Sequence, residues 1–473
     1  MRPFRLTLLA ASVLTASTVD ANALNAQALT LRDALARADA GAFANRAADG
    51  AADAADARTV AALRGILPSV RLESGFARTT DPIGAFGTTL RQRAITPADF
   101  DPARLNYPDA ISTFQGGAVL EQPILNVDAW MGRRAAARAG DAARMNAEWG
   151  RLGTRVDVIR AYFGATLAGE RVATLEAAAR AARAHVRQAE AMVREGLATN
   201  SDALLASVSA GEVEADLATA QADAHTALRQ LALVLGAHEP VGAVPVALPD
   251  AATVRAVVAG DTADVVTTRA GRPDVAAATL GVEAARADAR RARALYLPRV
   301  NAVLRYDWYS AVRPYDGDHS WTVGVQASWS PFAGASEIAE GRMAGAHAKA
   351  ARAMADGARA RAALEAEQGA NALRAALAGL DIAERAVAQS AEAHRIVARK
   401  YAGGLATVVE LLDAAAVETR SALRFSAARH AAIVAAAERR KALGRDPGAL
   451  VALEAATPSA PSAPSSPSAP TNR

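Results

Sequence analysis

Glu410 and Asp413 stand three residues apart, a spacing that sets two carboxylates on one face of a helix. Gathered from several copies around one opening, such acids attract cations, and they repel one another wherever no cation or partner offsets them. No other group of side chains has a spacing that suggests chemistry. The chain contains no Gly-x-x-x-x-Gly-Lys phosphate loop, no Gly-x-Ser-x-Gly elbow and no His-Glu-x-x-His pair. Its seven histidines are too dispersed for two metal ligands on one helix. Cysteine is absent, which excludes disulfides, thiolate metal sites and a lipid anchor on an N-terminal Cys. The expectation is therefore no enzyme, no cofactor and no metal, and acids positioned for something other than catalysis.

The composition indicates which elements hold them. Apolar residues make up 51% of the 473, yet aromatics are only 4% and the apolar share is mostly alanine. That balance favours long, closely packed helices over a globule built around bulky side chains. The formal charge of +4 is a small surplus of arginine scattered along the chain, without a basic stripe interleaved with aromatics, so no nucleic-acid partner is expected. Arg2 and Arg5 precede an apolar run from Leu6 to Ala16, followed by small-residue sites at Ala21-Asn22-Ala23 and Ala26-Gln27-Ala28. This is the pattern of an export signal over residues 1–28, cleaved after 23 or 28. No later stretch of about 18 uncharged apolar residues follows, so a membrane could be crossed only by strands.

The chain is also duplicated. Gly196-Leu197-Ala198-Thr199 recurs 208 residues later as Gly404-Leu405-Ala406-Thr407, and Pro123 with Pro331 and Leu235-Gly236 with Leu443-Gly444 keep that offset. Leu67-Pro68-Ser69-Val70 is answered by Leu297-Pro298-Arg299-Val300. Each half reads as helix, strand, loop, strand, very long helix, glycine turn, long helix. The expected organisation is a first repeat over 29–236, a linker or equatorial segment over 237–268, a second repeat over 269–444 and a disordered Pro/Ser/Ala-rich tail over 445–473. Leu152, Val156, Ile159, Phe163 and Leu167 step by three or four, as do Leu373, Leu377 and Leu380, which marks one buried face per helix. Between Leu125 and Gly196, and between Phe332 and Gly404, no proline interrupts, so each helix can run for roughly 70 residues, about 100 Å.

The strands alternate. Val300, Ala302, Leu304, Tyr306 and Trp308 share one face against Asn301, Val303, Arg305 and Asp307. Next come Trp321, Val323, Val325, Ala327 and Trp329 against Thr322, Gly324, Gln326 and Ser328. The first repeat repeats this more faintly with Val70, Leu72 and Phe76, then Phe114, Ala118 and Leu120, around a Pro- and Asp-rich loop from Thr79 to Thr113. Apolar faces ended by Tyr306, Trp308, Trp321 and Trp329 suit lipid with an aromatic belt at each interface. Four strands cannot close in lipid, where an open edge leaves backbone groups unsatisfied, so copies must associate. Two, three or four copies all give an even strand count. A soluble periplasmic coiled-coil adaptor or scaffold would share the helical hairpins without these strands.

In order and twice over, the Gly-Leu-Ala-Thr turns, the acid-plus-leucine runs Asp202-Ala203-Leu204-Leu205 and Glu410-Leu411-Leu412-Asp413, and the Leu-Pro strand openings resemble the TolC-type outer-membrane efflux proteins. The resemblance implies a mainly α protein with a small β part: a homotrimer whose long α-helical barrel crosses the periplasm and whose twelve-stranded β-barrel sits in the outer membrane. It implies a passive duct of a tripartite efflux or secretion system. A periplasmic adaptor, and through it an inner-membrane pump, would dock on the tips Gly196-Leu197-Ala198-Thr199 and Gly404-Leu405-Ala406-Thr407. It also implies that Glu410 and Asp413 line a cation-attracting constriction, and that Tyr401 and Asp202 hydrogen-bond between neighbouring helices to keep the entrance shut. Where that pattern often continues with an arginine this chain has Ala406, so a differently braced gate is expected.

Overall fold

The computed structural model describes residues 28–239, 242–260, 271–314 and 316–455. Residues 1–27 of the expected export signal, and the tail beyond 455, lie outside them. In the first half, α1 (Leu31–Gly41) and α2 (Phe43–Ala61) lead into β1 (Ser69–Thr79). The loop after β1 carries α3 (Pro82–Arg91) and α4 (Pro102–Asn106), and then come β2 (Ile111–Leu125), α5 (Val127–Arg194) and α6 (Asn200–Val234). A short helix α7 (Ala251–Ala259) lies between the halves. The second half is α8 (Pro273–Ala294), β3 (Arg299–Arg313), β4 (Asp316–Ser328), α9 (Ser336–Ala402) and α10 (Val408–Ala442). A 3-10 helix at Pro447–Val451 and α11 (Ala452–Ala455) follow.

At 1.5 Å per residue, the 68 residues of α5 and the 67 of α9 each reach about 100 Å. The apolar stripes do what their period requires: Val156, Ile159, Phe163, Leu373 and Leu380 are buried, with Leu167 and Leu377 packed against them. Buried positions recur every seven residues, as Leu175, Ala182 and Ala189 on α5 and as Ala366, Leu373 and Leu380 on α9. A seven-residue repeat on a helix of 3.6 residues per turn makes paired helices supercoil left-handed, and alanine at the contact lets their axes approach closely.

All four long helices end alike. Gly196, Gly236, Gly404 and Gly444 have φ of +75°, +77°, +72° and +71°. The N–H of the next residue donates to a carbonyl five residues back: Leu197 to Met192 at 2.8 Å, Ala237 to Ala232 at 2.9 Å, Leu405 to Lys400 at 2.8 Å and Arg445 to Arg440 at 2.8 Å. Two of these ends are open and two abut other elements. A Cβ on Gly236 would lie 2.1 Å from the Gly41 carbonyl oxygen, and one on Gly444 would lie 3.2 Å from the Arg272 Cα. Thus α6 stops where α2 begins and α10 stops where α8 begins, while α5 and α9 run past both junctions.

Around these junctions sits an equatorial collar. Leu31, Val158, Ile159, Tyr162, Phe163, Leu231, Val254, Ile433, Leu450 and Leu453 form its core. Buried arginines fasten the connecting segments to it. Arg429 donates to the Leu248 carbonyl at 3.1 Å and bonds Glu170. Arg272 donates to the Ala442 carbonyl at 2.9 Å and to Glu365 at 2.7 Å, with its guanidinium 4.4 Å from the centre of the Trp149 ring.

The expectation of disorder from residue 445 is corrected here for 445–455. Leu450 and Leu453 are fully buried, and Glu454 accepts from the Leu31 N–H at 2.7 Å and from the Tyr162 hydroxyl. The same hydroxyl lies 2.9 Å from the Leu29 carbonyl, so the two ends of the described chain close on one tyrosine. Burial first, then the Glu454 carboxylate, pushes that phenol above its ordinary pKa.

The sheet is a four-stranded antiparallel meander, β1-β2-β3-β4, with β1 and β4 at open edges. Its register aligns like with like: Val70, Leu120, Leu304 and Val323 form one row, and Leu72, Ala118, Tyr306 and Trp321 another. Between them lies the row Arg71, Val119, Arg305 and Thr322 on the opposite face. Pro123, which cannot donate to a ladder, sits where the β2–β3 register slips. The β1–β2 loop folds back on the polar face at one sheet end: the Arg91 guanidinium lies 5.1 Å from the Tyr309 ring centre, and Arg93 pairs with Asp318 at 3.5 Å.

Candidate functional site

Both helical tips are built from one local device. Thr199 caps α6 by accepting the Asp202 N–H at 3.3 Å, while the Asp202 carboxylate accepts the Thr199 N–H at 2.9 Å. At the second tip Thr407 accepts the Glu410 N–H at 3.2 Å and Glu410 accepts the Thr407 N–H at 2.7 Å. These are reciprocal capping boxes, two orphan donors satisfied by each pair. The Thr-x-x-Asp and Thr-x-x-Glu spacing is itself the sequence signature of these boxes, independent of any role in a gate. Glu410 is held below the usual carboxylate range by the Thr407 backbone N–H first and its hydroxyl second.

The box fixes what each tip presents. Leu197 is 68% exposed and Leu405 81% exposed, at the apex of rigid turns. Ala198 and Ala406 are half-buried. Ala406, the residue standing where an arginine was looked for, packs against a small core of Ala189, Ala206, Tyr401, Val408 and Leu411. Asp413 is exposed one turn beyond Glu410 on the same face of α10.

The structure brings Tyr401 near Asp202 but does not bond them. Tyr401 is buried and its hydroxyl has no hydrogen-bond partner. Burial, then the charge of Asp202, raises its pKa above the ordinary value. Asp202 is engaged elsewhere, because one carboxylate oxygen, Oδ2, accepts both the N–H and the hydroxyl of Thr199. Within a single chain the expected Tyr401–Asp202 hydrogen bond is therefore absent.

At the other end, the aromatic side chains mark two levels of the apolar face. Trp329 is exposed and donates its indole N–H to the Tyr296 carbonyl at 3.1 Å, beside the sheet end that joins the helices. Tyr306 and Trp321 face each other across β3 and β4 about midway along the strands. Trp308 lies over Gly116 so closely that a Cβ there would be 2.3 Å from the indole nitrogen. Trp308 pairs with His319. The ten-residue step from that level to Trp329 is about 34 Å along a strand, or roughly 26 Å of height at a tilt near 40°, which matches the apolar band of an outer-membrane barrel. The polar face carries charge: Arg305 donates to Asp307 at 3.0 Å and pairs with Glu73 at 3.5 Å.

No helix among the described residues is long and apolar enough to cross a membrane. The chain matches the family model for outer membrane efflux proteins over residues 34–237 and 265–445, well over half its length. Its fold is similar to that of a membrane protein from Pseudomonas aeruginosa, with TM-score 0.71 and 20% identity, covering 88% of this chain and 93% of that chain. The Campylobacter jejuni CmeC outer membrane channel gives TM-score 0.71 and 15% identity, covering 88% and 85% respectively. The outer membrane protein VceC from Vibrio cholerae gives 0.69 and 18%, covering 88% and 96%. No curated protein matches the sequence. Channels of the matched family act as trimers in the outer membrane with efflux-pump partners. A duplicated strand-and-helix plan, an open-edged sheet with an apolar face and the match over both repeats together place this chain in the outer membrane efflux protein family, as a channel subunit of a tripartite efflux system.

Proposed function

We propose that three copies form a passive duct whose helices cross the periplasm, with the two capped turns of each copy as the docking surface for a periplasmic adaptor and its inner-membrane pump. The observation that carries this reading is the exposure of Leu197 and Leu405 at the apex of two identically capped turns. Two such leucines per copy, gathered at one end of a trimer, make an apolar set that a docking partner can cover. Three copies supply twelve strands, and each open β4 edge then finds a neighbour's β1, which satisfies the backbone groups that lipid leaves unpaired. Trp308 and Trp321 stand at one interface and Trp329 at the other, with Tyr306 beside the first.

At the entrance, Glu410 and Asp413 contribute six carboxylates per trimer and favour cations. Tyr401, whose buried hydroxyl costs about 1–3 kcal/mol while unpaired, completes its hydrogen bonding with Asp202 or a neighbouring helix in the closed trimer. A cysteine at Ala198 tests the docking assignment by crosslinking in cells that express the cognate pump. Recovery of a periplasmic adaptor supports it; crosslinks only to other copies of the chain reject it. For the gate, single-channel conductance is compared between the wild type and the Tyr401→Phe, Asp202→Ala double variant. An unchanged closed conductance removes these two residues from the latch.

A further inference from the structure

Two histidines separated by 209 residues in sequence meet between the two helical hairpins. His185 stands on α5 and His394 on α9, each about ten residues, or roughly 15 Å, from its tip glycine. Their rings are 5.7 Å apart, centre to centre, and inclined by 76°. The Nε2 atoms of both are shut off from solvent and have no hydrogen-bond partner. His394 turns its Nδ1 to the Glu418 carboxylate of α10 at 2.5 Å. That contact fixes the orientation of the His394 ring. Desolvation, then the nearby His394, lowers the pKa of His185.

Imidazoles with unbonded nitrogens suit first-row transition metals, and a carboxylate on the far nitrogen is the usual device for orienting them. The separation fits. An ion about 2.1 Å from each Nε2 lies about 3.2 Å from each ring centre, and a tetrahedral angle then sets the centres about 5.3 Å apart. The observed 5.7 Å is close to that separation, and ligation requires the two Nε2 atoms to turn toward one point. The surrounding cleft of about 630 Å³ also presents Glu212 and Asp216 of α6, and Glu418 and Arg420 of α10. Among the described residues no three ligand-type side chains already converge on one point. The remaining coordination positions therefore fall to water, or to Glu212 and Asp216 after rotation of their side chains.

We propose that His185 and His394, oriented by Glu418, form a two-histidine transition-metal site for ions such as Zn²⁺ or Ni²⁺ that clamps the α5/α6 hairpin to the α9/α10 hairpin. The site is contained in one chain and stands whether or not the tips dock an adaptor. Untagged, purified protein in detergent is titrated calorimetrically with Zn²⁺, and with Co²⁺ as a spectroscopic reporter of tetrahedral imidazole ligation. One ion per chain is expected, with affinity reduced at least tenfold by His185→Gln or His394→Gln and abolished by the pair. Glu418→Gln weakens binding by about tenfold. Acidification releases the ion, because the ligands must be neutral. Circular dichroism and size-exclusion elution confirm that each variant keeps the wild-type fold and assembly. Binding that persists undiminished in the double variant, or no saturable binding by the wild type, overturns the proposal and leaves the pair as interhelical packing.

Discussion

The four helix-ending glycines share one backbone conformation but not one environment, and a single substitution separates the two contributions. Alanine at Gly404 meets nothing within 4 Å, so its cost is confined to a side chain in the left-handed region, about 1–2 kcal/mol. Alanine at Gly236 carries the same conformational cost and also drives its Cβ to 2.1 Å from the Gly41 carbonyl oxygen and 3.1 Å from the Ala42 Cα. Ordinary contact requires the α1–α2 junction to retreat by about 1 Å, and Ala42 is buried in the collar. Overpacking of that kind adds roughly 1–3 kcal/mol, for a total of about 2–5 kcal/mol. Gly444→Ala, 3.2 Å from the Arg272 Cα, falls between the two. The assay is the temperature at which the detergent-solubilised trimer dissociates, read on a gel for each variant. The expected order of loss is Gly236→Ala, then Gly444→Ala, then Gly404→Ala. If Gly236→Ala and Gly404→Ala shift the midpoint equally, the collar is not the rigid junction described.

Three further outcomes are expected. Truncation after Gly448 removes Leu450, Leu453 and Glu454, costs about 2–5 kcal/mol for each buried leucine, and lowers the same midpoint; an unchanged midpoint contradicts the packing of 445–455 on the collar. His185 and His430 are both held below the ordinary histidine range, chiefly by burial, so the stability they contribute is complete above about pH 6.5 and falls as the pH drops through their lowered values. Thermal midpoints measured between pH 7.5 and 5 should decline, and His185→Gln should flatten the curve. Val323→Arg on the apolar face should cost about 2–4 kcal/mol and block membrane assembly, whereas Gln326→Arg on the opposite face should assemble normally, as heat-modifiable trimer in membrane fractions would report.

The long-range plan was legible because duplication writes it twice. Gly196 and Gly404, read together, locate both tips, and alternation from Val300 to Trp308 gives the face of each residue over that stretch of β3 without knowledge of its neighbours. Three features were obscured for different physical reasons. Leu450, Val451 and Leu453 bury themselves beside a Pro/Ser/Ala-rich run whose composition dominates any window drawn across them. Thr199 and Asp202 carry a local signature, but the same acid serves equally as an entrance charge or as the group that closes the first turn of a helix, and spacing alone does not separate the two. His185 and His394 have no local signature at all, since the supercoiling of separate hairpins, and not spacing along either helix, brings them together.

Because α5 and α9 pass the collar without a break, each is a single rod held at two places. Tyr162, fixed to Leu29 and Glu454, lies near the midpoint of α5, about 50 Å from either end. One end is tied to a β-barrel whose circumference is set by its strand number, and the middle is tied to the collar. A rigid rod so held would act as a lever, and spreading the far ends by 10 Å would demand an equal and opposite movement at a wall that cannot shrink. In the proposed duct, widening of the entrance must therefore come from flexure or unwinding in the free half-length between collar and tip, where the buried side chains are mostly alanine and sliding disturbs the least packing.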